Sequence, residues 1–272
     1  MSAFMEITAS VFQGSAIGPA SFVVTASDLH TLQTGNRLVK YADDTYLIVP
    51  AVNTLTVEAE INHVTEWATV NNLQLNKTKT QEIVFTTKRS PRQPVLPELL
   101  PGIVRVQSMK VLGVWVDDRL SFKQHVKETI TSCARALYAL RVLKAHGLPQ
   151  QPLYTVFKAT VQSRLLDCSP AWAGFCSSAD YSKLDSFLTL SKRLGFCDKD
   201  TLSIVDLFNQ ADQNLFNRVL SNDCHVLNPL LSPVTDYNYL LRPRPHNHKL
   251  VTKTSYFNDN NFIVRMLFKG SF

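Results

Sequence analysis

The spacing of apolar and polar residues changes period several times along the chain, and each change predicts an element. Residues 37–41 and 45–49 are rich in β-forming side chains and flank a short polar tip, the signature of a hairpin. Before them, Pro19 near a first turn and Ser15 upstream of it predict a helix over 19–30. After them, Val57, Ile61, Val64 and Ala68 recur at three- and four-residue steps with Glu58, Glu60 and Glu66 between, so an amphipathic helix is predicted as far as Asn71-Asn72. Residues 82–86 resume as a strand. Pro91, Pro94, Pro97, Pro101 and Gly102 forbid regular structure over 90–102, which reads as a surface loop because strands flank it. Residues 110–116 predict a further strand, ended by a turn at Asp117-Asp118.

Ser121 with Gln124 three residues on has the form of a capping box and opens a long helix over 122–145. Val126, Ile130, Cys133, Leu137 and Leu140 mark its apolar face, while Lys123, Lys127, Arg135, Arg141 and Lys144 make the rest basic. Gly147 and Pro149 end it. Helical patterns continue over 150–167, 181–195 and 201–221. Past Pro229 the pattern weakens, and Pro233, Pro243 and Pro245 predict an irregular tail. The order predicts an α+β fold: a strand-and-helix domain over 1–120, a helical region over 121–228 and a basic tail over 229–272.

Composition narrows the function classes. Of 272 residues 45% are apolar, ordinary for a globular protein and far from the composition of a disordered one. No run approaches eighteen apolar residues, so no membrane partner is expected. The first ten residues hold Glu6 and no basic residue, which argues against a targeting signal and for an intracellular protein. Five scattered cysteines without a CxxC pair suit reduced structural thiols, and Cys224-His225 lacks the second pair that zinc would need. The net charge of +6 is unevenly spread. Residues 105–144 hold eight Lys/Arg against three Asp/Glu and residues 241–272 hold six against one, whereas 1–104 and 145–240 each hold seven against nine. Concentrated positive charge suits a phosphate backbone, with a merely solvated basic face as the alternative.

The hairpin tip carries the candidate chemistry. Adjacent carboxylates such as Asp43 and Asp44 repel one another, and a fold seldom places them together without a cation to neutralise them. Mg²⁺ takes one or two protein carboxylates and completes its shell with water and substrate phosphates. A pair of such ions can activate a hydroxyl and neutralise a departing pyrophosphate. The bland alternative is a polar turn, for Asp is a common turn residue and Asp117-Asp118 is another such pair.

The neighbours decide between these readings. Tyr41-Ala42-Asp43-Asp44 between strands resembles the signature of reverse transcriptases, and Gln13-Gly14-Ser15-x-x-Gly18-Pro19 resembles the segment those enzymes place before it. Trp67-Ala68-x-x-Asn71-x-Leu73-x-Leu75-Asn76-x-x-Lys79-Thr80 is similar to their following helix and loop. Leu112-Gly113-Val114 with Leu120-Ser121-Phe122-x-x-His125 is similar to the next strand and the start of the thumb. Four motifs in order, over residues 11 to about 195, resemble the polymerases of LINE-type, non-LTR retrotransposons. The resemblance implies a partial polymerase palm, an antiparallel sheet with helices on one face, followed by an α-helical thumb-like region. It implies Mg²⁺- or Mn²⁺-dependent addition of deoxynucleotides to a DNA primer on an RNA template, and it favours the nucleus.

Carried over residue by residue, the resemblance makes Asp43 and Asp44 catalytic metal ligands and puts Tyr41 near the primer end. Gln13 and Gly14 would shape the pocket for template and nucleotide, and Lys79 would sit near the triphosphate, unless it is a solvated loop lysine like Lys77. Leu112 and Gly113 would support the primer, and Lys123, Lys127 and Arg135 would hold the duplex. Asp28 falls where the family carries an acid for structural reasons. The family's further aspartate strand and its fingers lie upstream of the Gln-Gly segment, where this sequence has only twelve residues. The expectation is therefore a truncated chain with little activity alone and no tightly held metal, dependent on a missing upstream half. A non-catalytic nucleic-acid-binding remnant and a relic unable to fold alone are the other readings.

Overall fold

The computed structural model describes residues 17–86, 97–235 and 246–270 and is a mixture of helix and small sheets, an α+β fold. The motif residues Gln13, Gly14 and Ser15 lie outside the described residues. The chain divides into two units: one holds the residues up to Val84 together with 89–106, the other holds 85–88 and everything from Gln107. The division thus falls about a dozen residues before the expected boundary at 120, because the strands of residues 108–117 pack with the helices that follow them.

The first unit begins with α1 (Gly18–Thr25) and a 3-10 turn (Ala26–Asp28), shorter than the helix expected over 19–30. The hairpin of β1 (Arg37–Tyr41) and β2 (Asp44–Ile48) follows, then a 3-10 segment (Ala51–Thr56) and α2 (Val57–Val70). The strand expected over 82–86 is reduced to β3 (Gln81–Glu82), paired in parallel with β4 (Val104–Arg105) and fastened by the Arg105–Glu82 ion pair at 2.6 Å. Val64 and Ala68 are buried as the helical period requires. Glu60 is not on the outer face where the pattern set it: it is fully buried.

The second unit opens on a hairpin where one strand was expected. Residues 110–116 fold back at Leu112-Gly113, giving β5 (Ser108–Val111) and β6 (Val114–Asp117). Gly113 reaches φ +96° without strain, while Leu112 is held at φ +46°, a region that side chains disfavour. Among the described residues the strands therefore form three two-stranded ladders and not one antiparallel sheet, because both hairpins close on two-residue turns and pair only with themselves.

Helix α3 (Lys123–Ala145) starts without the expected capping box. Asp117 accepts instead from the amides of Arg119 (3.0 Å) and Ser121 (2.6 Å), so the entry loop is shaped by that carboxylate and Phe122 occupies the cap position. Its end matches the sequence: Gly147 at φ +86° allows Leu148 N to reach Leu143 O and Gly147 N to reach Lys144 O, a Schellman closure. Val126, Cys133, Leu137 and Leu140 enter the core, where they meet α4 (Gln150–Phe157), α5 (Ser163–Leu166), α6 (Ser169–Trp172) and α7 (Ser178–Arg193). At its centre Trp172 is wholly buried, with T-shaped contacts to His125 and Phe208 and its indole N–H on Asp167 O at 2.9 Å.

The tail is more ordered than expected. After α8 (Ile204–Ser221), residues 256–268 form α9 (Tyr256–Asn260) and α10 (Phe262–Phe268). Arg265 joins them to the bundle: its guanidinium meets buried Asp212 at 2.6 Å and also donates to Pro170 O and Asn260 O. Gly174 stands against this clasp, and any Cβ there would collide with Arg265 Nε and Asn260 O. No helix among the described residues is long and apolar enough to cross a membrane.

Candidate functional site

The Tyr41-Ala42-Asp43-Asp44 motif occupies the tip of the first hairpin. Tyr41 ends β1 and pairs with Asp44, the first residue of β2, so Ala42 and Asp43 alone make the turn. Ala42 takes φ +49°, a left-handed conformation that costs a non-glycine residue roughly 1–2 kcal/mol. Asp43 and Asp44 are both exposed, and neither carboxylate has a hydrogen-bond or ion-pair partner among the described residues. Tyr41 is 64% exposed beside them. Among the described residues, none uses these three side chains structurally.

The surroundings of the tip are fixed by buried polar groups. Lys40, one residue before Tyr41, donates its ammonium to Ala26 O and Leu29 O at the end of the α1 segment. Behind it, the carboxylate of Glu60 accepts from Leu32 N (3.0 Å), Gln33 N (2.9 Å) and Asn36 Nδ2 (2.8 Å). Asn53 Nδ2 closes the net on Asn36 Oδ1 at 2.9 Å. These bonds hold residues 32–36 immediately ahead of β1. Burial alone raises the Glu60 pKa, but the bonds from Asn36, Gln33 and Leu32, with the nearby His63, outweigh it and leave the pKa below its ordinary value. The motif residues Asp28 and Trp67 are also joined, Trp67 Nε1 donating to Asp28 Oδ1 at 2.9 Å, which is the structural use expected of that acid.

Lys79 lies apart from the hairpin elements, in a loop organised by Asn76. Asn76 accepts from Lys79 N, Thr78 Oγ1 and Thr80 Oγ1, and the Lys79 side chain is exposed with no ion pair among the described residues. The remaining candidates belong to the second unit. Leu112 and Gly113 form the tip of the β5–β6 hairpin, with Leu112 46% exposed. Lys123, Lys127 and Arg135 lie on the solvent side of α3, and none has an ion pair among the described residues. Lys123 and Lys127 line a groove whose other wall, α7, carries Lys183; Arg135 is not among its lining residues.

Two residues beside these candidates were not singled out by sequence reasoning. Lys183 is 60 residues beyond Lys123, in a stretch of net negative charge, so only the packing of α7 on α3 reveals it. His125 entered as a motif residue only, yet it is buried on Trp172, with Nδ1 facing Trp115 N at 3.5 Å and Nε2 without a partner among the described residues. Burial, with Lys110 adding to it and Asp167 opposing, pushes its pKa below the ordinary value.

The family model for reverse transcriptase (RNA-dependent DNA polymerase) matches residues 3–116, which include the whole Tyr-Ala-Asp-Asp hairpin. The chain is 28% identical over 189 residues to the probable RNA-directed DNA polymerase from transposon X-element of Drosophila melanogaster, covering 63% of this chain and 19% of that protein. It is 28% identical over 137 residues to the RNA-directed DNA polymerase from mobile element jockey of the same organism, 46% of this chain and 15% of that one. With the retrovirus-related Pol polyprotein from type-1 retrotransposable element R1 of Nasonia vitripennis it shares 25% over 173 residues, 59% of this chain and 51% of that protein. The chain thus spans between about a seventh and a half of the length of these curated relatives. No solved structure matches it.

Proposed function

We infer that this relative of the reverse transcriptases of non-LTR retrotransposons acts within an RNA-directed DNA polymerase and contributes two carboxylates to its metal site. One observation carries the reading: Asp43, in a two-residue turn, and Asp44, which opens the strand after it, stand exposed and, among the described residues, unpartnered, inside the stretch that matches the family. Family members generally use a divalent metal, and a pair of hard oxygen donors fits Mg²⁺ or Mn²⁺, ions that fill their other positions with water and phosphate oxygens. Such an ion, when bound, activates the primer hydroxyl and neutralises the departing pyrophosphate. No group of three metal-ligating side chains exists among the described residues, so the site needs a further acidic ligand besides this pair.

Within this reading Tyr41 lies by the primer end, Lys79 meets the triphosphate as a mobile point charge, and the family resemblance assigns Gln13 and Gly14 to template and nucleotide binding. The Leu112-Gly113 tip supports the primer, and the cationic face of α3, the thumb of this scheme, holds the duplex. Primer extension on an RNA template with Mg²⁺ or Mn²⁺ tests it: Asp43→Asn should lose extension by on the order of 100-fold or more relative to the unaltered chain. Extension that survives the substitution removes Asp43 from the site. A second reading, a nucleic-acid binder without catalysis, is favoured by the basic face of α3 belonging to a unit with its own core, separate from that of the hairpin. Salt-dependent duplex binding with no extension in any metal would select it.

A further inference from the structure

Helix α7 gives the basic face of α3 a second wall. Between the two helices lies a groove of about 880 Å³, lined by Lys123, Gln124, Lys127 and Ile130 from α3 and by Lys183 and Ser186 from α7. Its charged side chains are these three lysines and the single acid Glu128. Lys183 reaches only the edge of Asp180, at 3.7 Å and with its side chain 64% exposed, so it can turn to a ligand at little cost.

Hydrogen bonding sharpens the preference. Two hydroxyls of the groove, on Thr131 and Ser182, are spent on carbonyls four residues back, at 2.9 Å each. Ser186 and Gln124 have no side-chain bond among the described residues and keep their donors free. The groove therefore offers ammonium, amide and hydroxyl donors around a half-buried Ile130, a lining suited to phosphates joined by apolar sugar. About 22 Å along α3 from Lys123, Tyr138 stands on the same side of the helix, 68% exposed.

We propose that this groove seats the sugar–phosphate backbone of a single-stranded nucleic acid, with Tyr138 as a stacking surface for a base that emerges from it. A cationic channel that tracks one backbone beside an exposed aromatic ring is how single strands are held without sequence preference. An open groove flanked by two helices admits one strand more readily than the broad cylinder of a duplex. The proposal rests on the nucleic-acid reading above, adds Lys183, Ser186 and Tyr138 to it, and gives Lys123 and Lys127 a single strand in place of the duplex.

The test is fluorescence anisotropy of the full chain with a labelled single-stranded oligonucleotide and with the duplex of the same sequence, across about 50 to 200 mM salt. Lys127→Gln with Lys183→Gln should weaken single-strand binding roughly 10-fold and lower the slope of log affinity against log salt by about 1.4, two phosphates' worth. Lys158→Gln with Lys199→Gln removes the same charge elsewhere and should change neither the strength nor, beyond a few tenths, the slope. Tyr138→Ala should weaken the single strand roughly 5-fold or more. Circular dichroism establishes that each variant is folded. Equal behaviour of the groove and control variants on the single strand overturns the proposal. So does tighter binding of the duplex with an equal loss on both ligands, which leaves the polymerase reading standing. Failure of the folded, unaltered chain to bind either ligand overturns both.

Discussion

In the helical unit the deepest position belongs to Trp172, packed between His125 and Phe208 inside a continuous apolar cluster. In the hairpin unit an equally inaccessible position belongs to Glu60, and what surrounds it is a set of amides. The second unit follows the ordinary logic of burial, roughly 25 cal/mol for each Å² of apolar surface removed from water. The first buries few apolar side chains among its described residues and leaves Ile17, Val23, Val24, Val52 and Leu55 in solvent. A carboxylate placed there contributes direction more than cohesion. Each of its bonds is charge-assisted, and together they fix the loop from which β1 and the hairpin tip depart. A unit held this way is specific in shape and modest in stability.

Four measurements press on that contrast. The largest effect should come from Trp172→Ala, which leaves a cavity where the indole met two rings and strands Asp167 O; a loss of about 3–5 kcal/mol is expected in the chemical denaturation of the helical unit. The hairpin unit should keep its own transition, and a common shift in both would show that the units are not separate. Next comes acid. Glu60 has a lowered pKa, so its stabilisation is complete above the ordinary value of 4.5 and fades as pH falls below it towards the folded value. His125 also has a lowered pKa, so the unfolded chain takes up the proton first, and the helical unit should begin to lose stability already as pH falls through 6.5. Unit-resolved hydrogen exchange between pH 7 and pH 4 should therefore register the helical unit weakening first, although it has the larger core. Glu60→Gln, which removes the charge and turns one acceptor into a donor facing Leu32 N or Gln33 N, should cost about 2–3 kcal/mol and abolish the acid dependence of the hairpin unit. The smallest effect is expected at Ala42→Gly, where relief of φ +49° should stabilise the hairpin by a few tenths of a kcal/mol, up to about 1, read from its thermal transition.

The same contrast explains what the sequence could reveal. The hairpin with its polar tip, α2 and the long α3 were legible because period, turn chemistry and the terminating Gly147 all agree there. Glu60 was not, because a helical wheel assigns faces by hydrophobicity and a carboxylate among valines looks like its outer side. The amides that reverse this come from residues 32–36, more than twenty positions away. Leu112-Gly113 was read through as strand because leucine is a poor turn former, and only the observed φ of +46° shows the chain reversing. Helices α9 and α10, five and seven residues long, are too short for a period to register, and proline-rich sequence precedes them. Of the candidate site, Tyr41, Asp43 and Asp44 were contiguous and hence visible. The α3–α7 groove was not, since its second wall is brought in by tertiary packing.

The clasp at Arg265 bears on the order in which the helical unit is made. Asp212 is sealed from water, and its charge is answered by a guanidinium 53 positions later in the chain; the same guanidinium caps Pro170 O across 95 positions. A chain growing from its N-terminus completes α3 to α8 with that carboxylate unanswered, and a buried ion without a partner is strongly unfavourable. Around α8 the bundle therefore gains this pairing only when residue 265 has been synthesised and has folded back onto Asp212 and Pro170 O.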